Sequence, residues 1–362
     1  MMKISKDIQI LALGVITVFT FLFKGNELLT HALTAPIGIL ATLFLLVVTI
    51  VMIFAVVKHA DALAHRLGEP YGTLILTLSV VLLEVAMISS VMLTGSENPV
   101  MARDTMFAVV MGVMNGLVGI TLLIGGLKYH SQPYNVHGLK AYIAAIIPVV
   151  TICLVLPNFV SQDTSGGMSG IMMFTLIASS ILLYSVFLFV QTKSHTDYFI
   201  NDACNEEEEH HETRSNCYHG AFLVLNLAVV IGLAKSIAIP IDSSISTLGA
   251  PSALGGLIVA LIILSPEGVG AIKAALNNQL QRAMNLFYGS VLATISLTVP
   301  AVLLIGLYMN ETVILGLGTA DMVLLTATIL VSMVTFSSGR TNPLNGVTHL
   351  VLFMAYILLM FD

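Results

Sequence analysis

Residues 67–84 read LGEPYGTLILTLSVVLLE, and residues 248–267 read LGAPSALGGLIVALIILSPE. Each stretch opens with Leu-Gly, has a proline two residues after that glycine, and runs through an apolar segment to a glutamate, Glu84 or Glu267. A helix needs about 20 such residues to cross the hydrocarbon core of a bilayer. The two stretches therefore predict two related membrane-spanning segments, each with an acid inside the membrane.

The composition of the whole chain supports this interpretation. Of its 362 residues, 57% are hydrophobic and 9% are charged, and the mean hydropathy is +0.97. A soluble domain carries about 25% charged residues because its surface faces water. The composition excludes soluble globular, disordered and nucleic-acid-binding proteins, and it indicates a polytopic membrane protein.

The same length criterion predicts an all-α protein with about eleven transmembrane helices. The predicted spans are 8–24, 35–57, 71–94, 105–126, 140–157, 168–191, 219–240, 252–274, 283–307, 314–336 and 344–361. In this layout Lys24, Arg103 and Lys235 lie on one side, and the other eleven of the 14 Lys and Arg residues lie on the side of the N-terminus. Positive residues accumulate on the cytoplasmic side, which predicts a cytoplasmic N-terminus and an external C-terminus.

A weak internal repeat divides the chain. Arg103 precedes the fourth predicted span and Arg282 precedes the ninth, and aligning them places Asn115 opposite Thr294. Because five spans separate the matching elements, the two halves are expected to have opposite orientations in the membrane. The predicted parts are an extra N-terminal helix (1–34), a first inverted repeat of five helices (35–191), an acidic, histidine-containing cytoplasmic linker (192–218) and a second inverted repeat (219–362).

Glu84 and Glu267 are the acids that lie inside apolar runs. A charge at this depth costs at least ~2.5 kcal/mol, so such residues usually face a polar cavity and serve function. Pro266 and Gly268 flank Glu267 and predict a broken helix at the ion site. The alternative is that each carboxyl is protonated and structural, hydrogen-bonded between helices.

Oxygen-bearing side chains follow the two glutamates at helical spacing. Each alone is more often a link between helices than a ligand. Together they predict an all-oxygen site that suits Ca²⁺, Na⁺ or K⁺, with Glu84 and Glu267 as metal ligands and no cofactor. The residues expected along this cation and proton pathway are Thr77, Asn115, Ser265, Asn278, Ser290 and Thr294, of which Ser290 and Thr294 share a stripe with Thr298.

Five segments resemble the CAX-type cation/proton exchangers of the calcium/cation antiporter superfamily. They are residues 58–72, 79–84, 264–268, 277–298 and 338–342. The resemblance implies one extra helix, then two inverted five-helix halves joined by an acidic segment, and it implies that Glu84 and Glu267 bind the ion and the proton. Many relatives have an asparagine three residues before each glutamate, where this chain has Val81 and Leu264. We expect the absence of these asparagines to affect ion selectivity and Ca²⁺ affinity.

The residue patterns and the family resemblance together predict an antiporter, not an enzyme, in a bacterial inner membrane. It exports a cytoplasmic cation, Ca²⁺ first and also Na⁺ or K⁺, in exchange for protons, with both glutamates alternately protonated and cation-bound. The expected partners are these ions and membrane lipid; the oligomeric state is open.

Other interpretations stay open from the residues alone. One is a passive cation channel without proton coupling, and another is an intramembrane hydrolase, although His-Glu-x-x-His and Gly-x-Ser-x-Gly motifs are absent. A scaffold, a receptor and a transporter of organic solutes are further alternatives. The residues Glu206, Glu207, Glu208, Glu209, His210 and His211 are expected either to sense Ca²⁺ or pH on the cytoplasmic side or to form a solvated loop.

Overall fold

The structure is a computed structural model that describes residues 5–29, 35–68, 71–94, 99–160, 168–200, 214–251, 253–309 and 312–361. The helices of the first half of the chain are α1 (Lys6–Leu29), α2 (Pro36–Leu67), α3 (Tyr71–Thr94), α4 (Met101–Met111), α5 (Val118–Tyr129), α6 (Val136–Val150) and α7 (Gly170–Phe189). Those of the second half are α8 (Asn216–Leu248), α9 (Ala253–Ile263), α10 (Ser265–Leu276), α11 (Leu280–Ala293), α12 (Val299–Met309), α13 (Thr319–Thr335) and α14 (Pro343–Met360).

Short irregular segments connect or extend these helices. Four are π-helical turns: Gly112–Leu117, Thr151–Val155, Val190–Ser194 and Thr294–Thr298. Two are 3₁₀ turns, Leu156–Phe159 and Thr196–Tyr198. The strands β1 (Gln132–Pro133) and β2 (Arg340–Thr341) pair antiparallel, Gln132 with Thr341 and Pro133 with Arg340. The fold is thus helical, and its small strand pair was not predicted from the sequence.

The helices match the predicted membrane spans. In the described part of the chain, eight helices or continuous helical segments are long and apolar enough to cross a bilayer, and a ninth span arises if the bent pair α9–α10 crosses as one. The two other predicted spans coincide with shorter apolar helices, Leu74–Ser90 within α3 and Thr319–Thr335. The protein is a multi-pass membrane protein, and the count of eleven stays a prediction.

The two Leu-Gly motifs end helices. α2 ends at Leu67 and α8 ends at Leu248, and the glycines that follow, Gly68 and Gly249, have φ values of 63° and 62°. A glycine tolerates this left-handed region because it has no Cβ, so it terminates a helix and redirects the chain. The repeated motif therefore marks the same event in both halves, the end of a long helix before the span with the glutamate.

The predicted repeat also agrees with later helix ends. The register that aligns Arg103 with Arg282 places Met101, the start of α4, opposite Leu280, the start of α11. It places Tyr129, the end of α5, opposite Tyr308, one residue before the end of α12. Each of these paired segments contains a π-helical turn, and those turns include Asn115 and Thr294. This agreement supports the repeat, while the exact boundaries of the four predicted parts stay predictions.

The chain divides into two compact units, each built from both halves. The first unit comprises residues 1–101 and 210–266 and contains α1, α2, α3, α8 and α9. In it, α2 and α8 pack against each other, and α1 and α3 pack against both. The second unit comprises residues 102–209 and 267–362. In it, α5 packs against α14, and α11 packs against α6.

Glycines allow α5 and α14 to pack at backbone distance. A Cβ atom added to Gly346 would lie 2.5 Å from the backbone nitrogen of Leu123 and 2.7 Å from the carbonyl oxygen of Gly119. A side chain at Gly119 would likewise meet Leu350 at 2.8 Å. Small residues are the usual means by which membrane helices approach this closely. The contact fixes α14 against the segment that contains Asn115.

Contacts at the helix ends agree with the predicted layout, in which successive loops alternate between the two sides of the membrane. In the second unit, β1 and β2 pair two loops that the prediction places on one side, and Lys128 Nζ donates to Leu276 O on that side over 2.7 Å. Arg103 donates to Gly316 O over 3.1 Å on the other side. In the first unit, Lys58 Nζ lies 2.9 Å from Asp7 Oδ1. All four contacts join segments that the layout places on the same side.

The two glutamate-containing spans differ. α9 and α10 meet at Leu264 with a bend of 58°, so the predicted break is present but precedes Pro266, which lies in the first turn of α10. Proline is tolerated there because the first-turn amides have no partner within the helix. By contrast, α3 is continuous from Tyr71 to Thr94, and its helix is not broken at Glu84.

Candidate functional site

Glu267 lies at the start of a helix and accepts a hydrogen bond from a side chain of α11. It is half-buried in the first turn of α10. The hydroxyl of Ser290 in α11 donates to Glu267 Oε2 over 2.9 Å. The free amides and the dipole of a helix N-terminus favour a negative charge at this position. The structure therefore brings Glu267 and Ser290, both predicted from the sequence, into contact.

Glu84 lies in the middle of α3, where 2% of its surface is exposed. Thr77, two helical turns before it on the same side, is half-buried. Val81 and Leu264, the residues three positions before the two glutamates, are buried at 6% and 4% exposure. The positions three residues before the glutamates are therefore apolar packing positions in this chain. Glu84 and Thr77 belong to the first unit, and Glu267 and Ser290 to the second.

Ser265 closes the helix break before Glu267. Its hydroxyl donates to Ile262 O over 2.7 Å, one of the carbonyls at the end of α9 that lack a partner within the helix. Its role along an ion pathway stays a prediction.

Asn115 is fully buried in the π-helical turn Gly112–Leu117. Its Nδ2 donates to Thr328 Oγ1 over 2.7 Å, and its Oδ1 lies 3.2 Å from His349 Nδ1. π-Helical turns occur often at functional sites because they widen the helix and redirect a side chain. Near the end of this turn, Leu117 packs against the first turn of α10, 3.4 Å from where a Cβ of Gly268 would lie.

Thr294 begins the π-helical turn Thr294–Thr298 and is 2% exposed. The predicted stripe of Ser290, Thr294 and Thr298 assumed an unbroken α-helix with 3.6 residues per turn. The π-helical turn changes the rotation per residue between Thr294 and Thr298, but Ser290, Thr294 and Thr298 are all buried, and their shared stripe stays a prediction. Thr294 and Asn115 still occupy matching turns of the two halves.

Asn278 lies after the end of α10 with a φ of 60°. Its Oδ1 accepts a hydrogen bond from Gln132 Nε2 over 3.2 Å, and the same nitrogen donates to Ala275 O over 2.8 Å. Eleven residues of mostly helical chain separate it from Glu267, about 16 Å along the helix axis. Asn278 therefore lies at the opposite end of α10 from the glutamate, and its place on the ion pathway stays a prediction.

The end of α10 is held by the end of α5 and the loop after it. Lys128 Nζ and the Tyr129 hydroxyl both donate to Leu276 O over 2.7 Å, in addition to the two bonds from Gln132. The last carbonyls of a helix lack partners within the helix, and a cation there is stabilised by the helix dipole. These bonds fix one end of the helix that has Glu267 at its other end.

Sequence reasoning missed a polar cluster around Asn115. His349 Nε2 lies 3.2 Å from Thr335 Oγ1, and Thr328 Oγ1 donates to Leu324 O over 2.8 Å. Outside the membrane-spanning segments, burial raises the pKa of the Tyr134 phenol, and its hydroxyl donates to Thr335 O over 3.3 Å. His349, a single histidine inside the last apolar run, was the signal in the sequence that could have indicated this cluster.

A second missed contact lies in the first unit. His59 of α2 and His219 of α8 are each 1% exposed, and their Nδ1 atoms lie 3.0 Å apart. Asp7 Oδ1 lies 4.0 Å from His59 Nε2. The pairing joins residues far apart in sequence, and no spacing along the chain indicates it.

In the described part of the chain, no group of three or more His, Cys, Asp or Glu residues is arranged to hold a metal ion. The predicted regulatory residues Glu206, Glu207, Glu208, Glu209, His210 and His211 lie outside the described residues.

Curated relatives resemble the chain over most of its length. It is 45% identical over 335 residues to the sodium-potassium/proton antiporter ChaA of Escherichia coli (strain K12), which covers 91% of this chain and 90% of the relative. It is 23% identical over 252 residues to the Ca²⁺/H⁺ antiporter ChaA of Bacillus subtilis (strain 168), which covers 69% and 71% of the two chains.

Solved structures share the fold. The structure of native YfkE superposes with a TM-score of 0.72 at 18% identity and covers 98% of this chain and 99% of its own. The H⁺/Ca²⁺ exchanger CAX superposes with a TM-score of 0.62 at 12% identity, covering 98% and 89%.

The family model described as sodium/calcium exchanger protein matches residues 10–193 and 219–361, which leaves residues 194–218, all but the first two residues of the predicted linker, between its two matched parts. The helical membrane fold, the two glutamate-containing spans and the matched relatives agree with that assignment. This chain belongs to the sodium/calcium exchanger protein family.

Proposed function

We propose that this protein is a cation/proton antiporter in which Glu84 and Glu267 are the two groups that bind cation and proton in turn. The observation that supports this most directly is the presence of two glutamates in helices of a multi-pass membrane protein, one of them buried in the middle of α3 and the other in the first turn of α10. A charge at that depth is costly, so its retention points to a function that uses it. The names of the relatives agree with this function.

Competition for the same oxygens couples the two fluxes. A carboxylate in low dielectric is stabilised by a bound cation or by a proton, and each displaces the other. Two protons neutralise two carboxylates as one Ca²⁺ does, whereas one monovalent ion requires one carboxylate to be charged. Movement of the empty, charged site across the membrane is disfavoured by the cost of desolvation. Leak without exchange is therefore suppressed.

The surroundings of Glu267 suggest how the cation is held. The Ser290 hydroxyl can turn its lone pairs toward a cation when the carboxylate binds one, since it is both donor and acceptor. The oxygens of Thr77, Asn115, Ser265 and Thr294 would add ligands along the pathway. The proposed cargo is Ca²⁺, with Na⁺ and K⁺ as further substrates, because all three prefer oxygen ligands.

The proposal includes location and direction. With 11 of 14 basic residues on the side of the N-terminus, the N-terminus is placed in the cytoplasm of a bacterial cell and the C-terminus outside the inner membrane. Proton influx would then drive the cation out of the cytoplasm. We also propose that residues 206–211 regulate transport from the cytoplasmic side by sensing Ca²⁺ or pH.

Inside-out vesicles with a pH-sensitive dye test the proposal. The lumen is acidified by respiration, and CaCl₂, NaCl or KCl is then added to wild type, Glu84→Gln and Glu267→Gln. We expect the cation to collapse the pH gradient in wild type and in neither variant. Asp197→Asn, which removes an exposed acid in a connecting turn, is the matched control and should behave as wild type.

Two results would contradict the proposal. If isotope-labelled cations cross without movement of protons, the protein is a channel. If both glutamine variants transport as wild type does, the acids are structural and the coupling mechanism is wrong.

A further inference from the structure

Four buried polar side chains in the second unit form one continuous hydrogen-bonded series. They are Asn115 from the π-helical turn, Thr328 and Thr335 from α13, and His349 from α14, and none is more than 3% exposed. Packing glycines bring them together. Gly346, one turn before His349, lies against Gly119 of α5, and Gly116, next to Asn115, lies against Phe353 of α14.

The donors in this series run in one direction. The single hydroxyl hydrogen of Thr328 points to Leu324 O at 2.8 Å, a better acceptor than the Met111 sulfur at 3.5 Å. Thr328 Oγ1 must therefore accept from Asn115, whose Nδ2 lies 2.7 Å away. This fixes the orientation of the amide, with its oxygen facing the ring of His349.

The orientation of the amide in turn fixes the ring. Because Asn115 Oδ1 accepts, His349 Nδ1, at 3.2 Å, carries a hydrogen. A neutral imidazole has a bare second nitrogen, and Nε2 accepts from the Thr335 hydroxyl at 3.2 Å. The series therefore runs from Thr335 through His349 and Asn115 to Thr328.

We propose that His349 is a positioning residue for transport: its Nδ1–H holds the amide of Asn115 with the oxygen, not the nitrogen, available to a passing cation. An amide oxygen has two lone pairs, so one can accept from His349 while the other coordinates an ion. A flip of the amide would set donor against donor at His349 and would lose the bond to Thr328. The inference rests on the proposed function, in which Asn115 lies on the cation pathway.

Two substitutions at His349 test the roles of the two ring nitrogens separately. In His349→Asn the side-chain NH₂ group replaces Nδ1–H and can still donate to Asn115. In His349→Gln the longer amide reaches toward Thr335, where Nε2 was, and the donor to Asn115 is lost. Thr335→Val is the matched control because it removes the bond at Nε2 alone.

The measurement is uptake of isotope-labelled Na⁺ and Ca²⁺ into vesicles that contain the full chain, with melting temperature as a check of folding. For His349→Gln we expect the KM for the transported cation to rise about tenfold, with the maximal rate within about twofold of wild type. For His349→Asn and Thr335→Val we expect a KM within about threefold of wild type.

The outcomes distinguish this proposal from the proposed function. Equal KM values for His349→Gln and His349→Asn would overturn the positioning role in a protein that still transports. Cation uptake without proton movement would overturn antiport, while the comparison of KM values would still decide the role of His349. If wild type takes up neither cation, and KCl does not collapse the pH gradient either, both proposals are wrong.

Discussion

At the scale of single residues, the structure distinguishes polar side chains that donate to a charged group from those that donate to a backbone carbonyl. Ser290 donates to the carboxylate of Glu267, whereas Ser265 donates to a backbone carbonyl at a helix end. The sequence assigned both to the same pathway, Ser265 as a neighbour of Glu267 and Ser290 as a member of the stripe with Thr294 in the ninth predicted span. A hydroxyl that faces a carboxylate can respond to cation binding; one that satisfies a carbonyl has a structural partner.

Replacement of Ser290 by alanine tests this distinction. The hydrogen bond to a charged group contributes about 1.5 kcal/mol, so we expect Ser290→Ala to change the apparent affinity for the transported cation by roughly tenfold. Ser290→Thr keeps the hydroxyl and should stay near wild type. Cation-dependent quenching of the pH gradient, titrated with salt, measures the change. An unaltered titration curve for Ser290→Ala would show that the hydroxyl does not take part.

At the scale of elements, α10 is a short helix held at its far end. Gln132, Lys128 and Tyr129 bond the last carbonyls of α10, while its first turn contains Glu267. The side chain of Gln132 crosses the surface of α5 at Gly125, where an added Cβ would overlap Gln132 Oε1. Gly125 is thus required by the side chain that fixes the end of α10.

A double-mutant cycle tests that requirement. Gly125→Ala should lower the melting temperature because the new methyl group displaces Gln132 from α10. In a Gln132→Ala background the same change should be neutral or slightly stabilising, since alanine favours a helix by up to about 1 kcal/mol over glycine. Melting is followed in detergent by fluorescence-detected size exclusion. Equal, additive losses in both backgrounds would contradict the explanation.

The sequence predicted the elements better than it predicted their interruptions. Apolar runs and turn signals placed the spans, and the Leu-Gly motifs marked two helix ends, because these are local effects of bilayer length and glycine geometry. The π-helical turn at Asn115 and the partners His349 and Thr328 depend on packing between helices distant in the chain, for which one sequence has no local signal. The break before Glu267 was expected from Pro266, but the helix begins at Ser265 because proline fits its first turn.

At the scale of the whole molecule, each half of the chain contributes to both compact units. α1, α2 and α3 from the first half join α8 and α9 from the second, and the remaining helices form the other unit. Within each unit, each of these contacts at helix ends joins two segments that the prediction places on the same side of the membrane. The alternation of the loops is thus supported from within each unit, and the absolute orientation requires an experiment.

Labelling of cysteines measures that orientation. Cys217 is exposed at the start of α8, and the prediction places it in the cytoplasm. In a variant whose other cysteines are replaced, we expect a membrane-impermeant maleimide to label Cys217 in inside-out vesicles but not in intact cells stripped of outer membrane. Thr319→Cys, exposed at the start of α13 near the external end of the tenth predicted span, should show the reverse pattern. Labelling of Cys217 from outside would reverse the proposed direction of transport.

The lengths of α2 and α8 tie this protein to the lipid around it. With 32 and 33 residues, these helices are about 48 Å and about 50 Å long, whereas the hydrocarbon core is about 30 Å thick. Such helices tilt or extend beyond the core, and each ångström of mismatch costs a fraction of a kcal/mol. Thicker membranes let these helices stand upright, and thinner ones tilt them further. Acyl-chain length therefore becomes a variable that acts on the first unit through its longest helices.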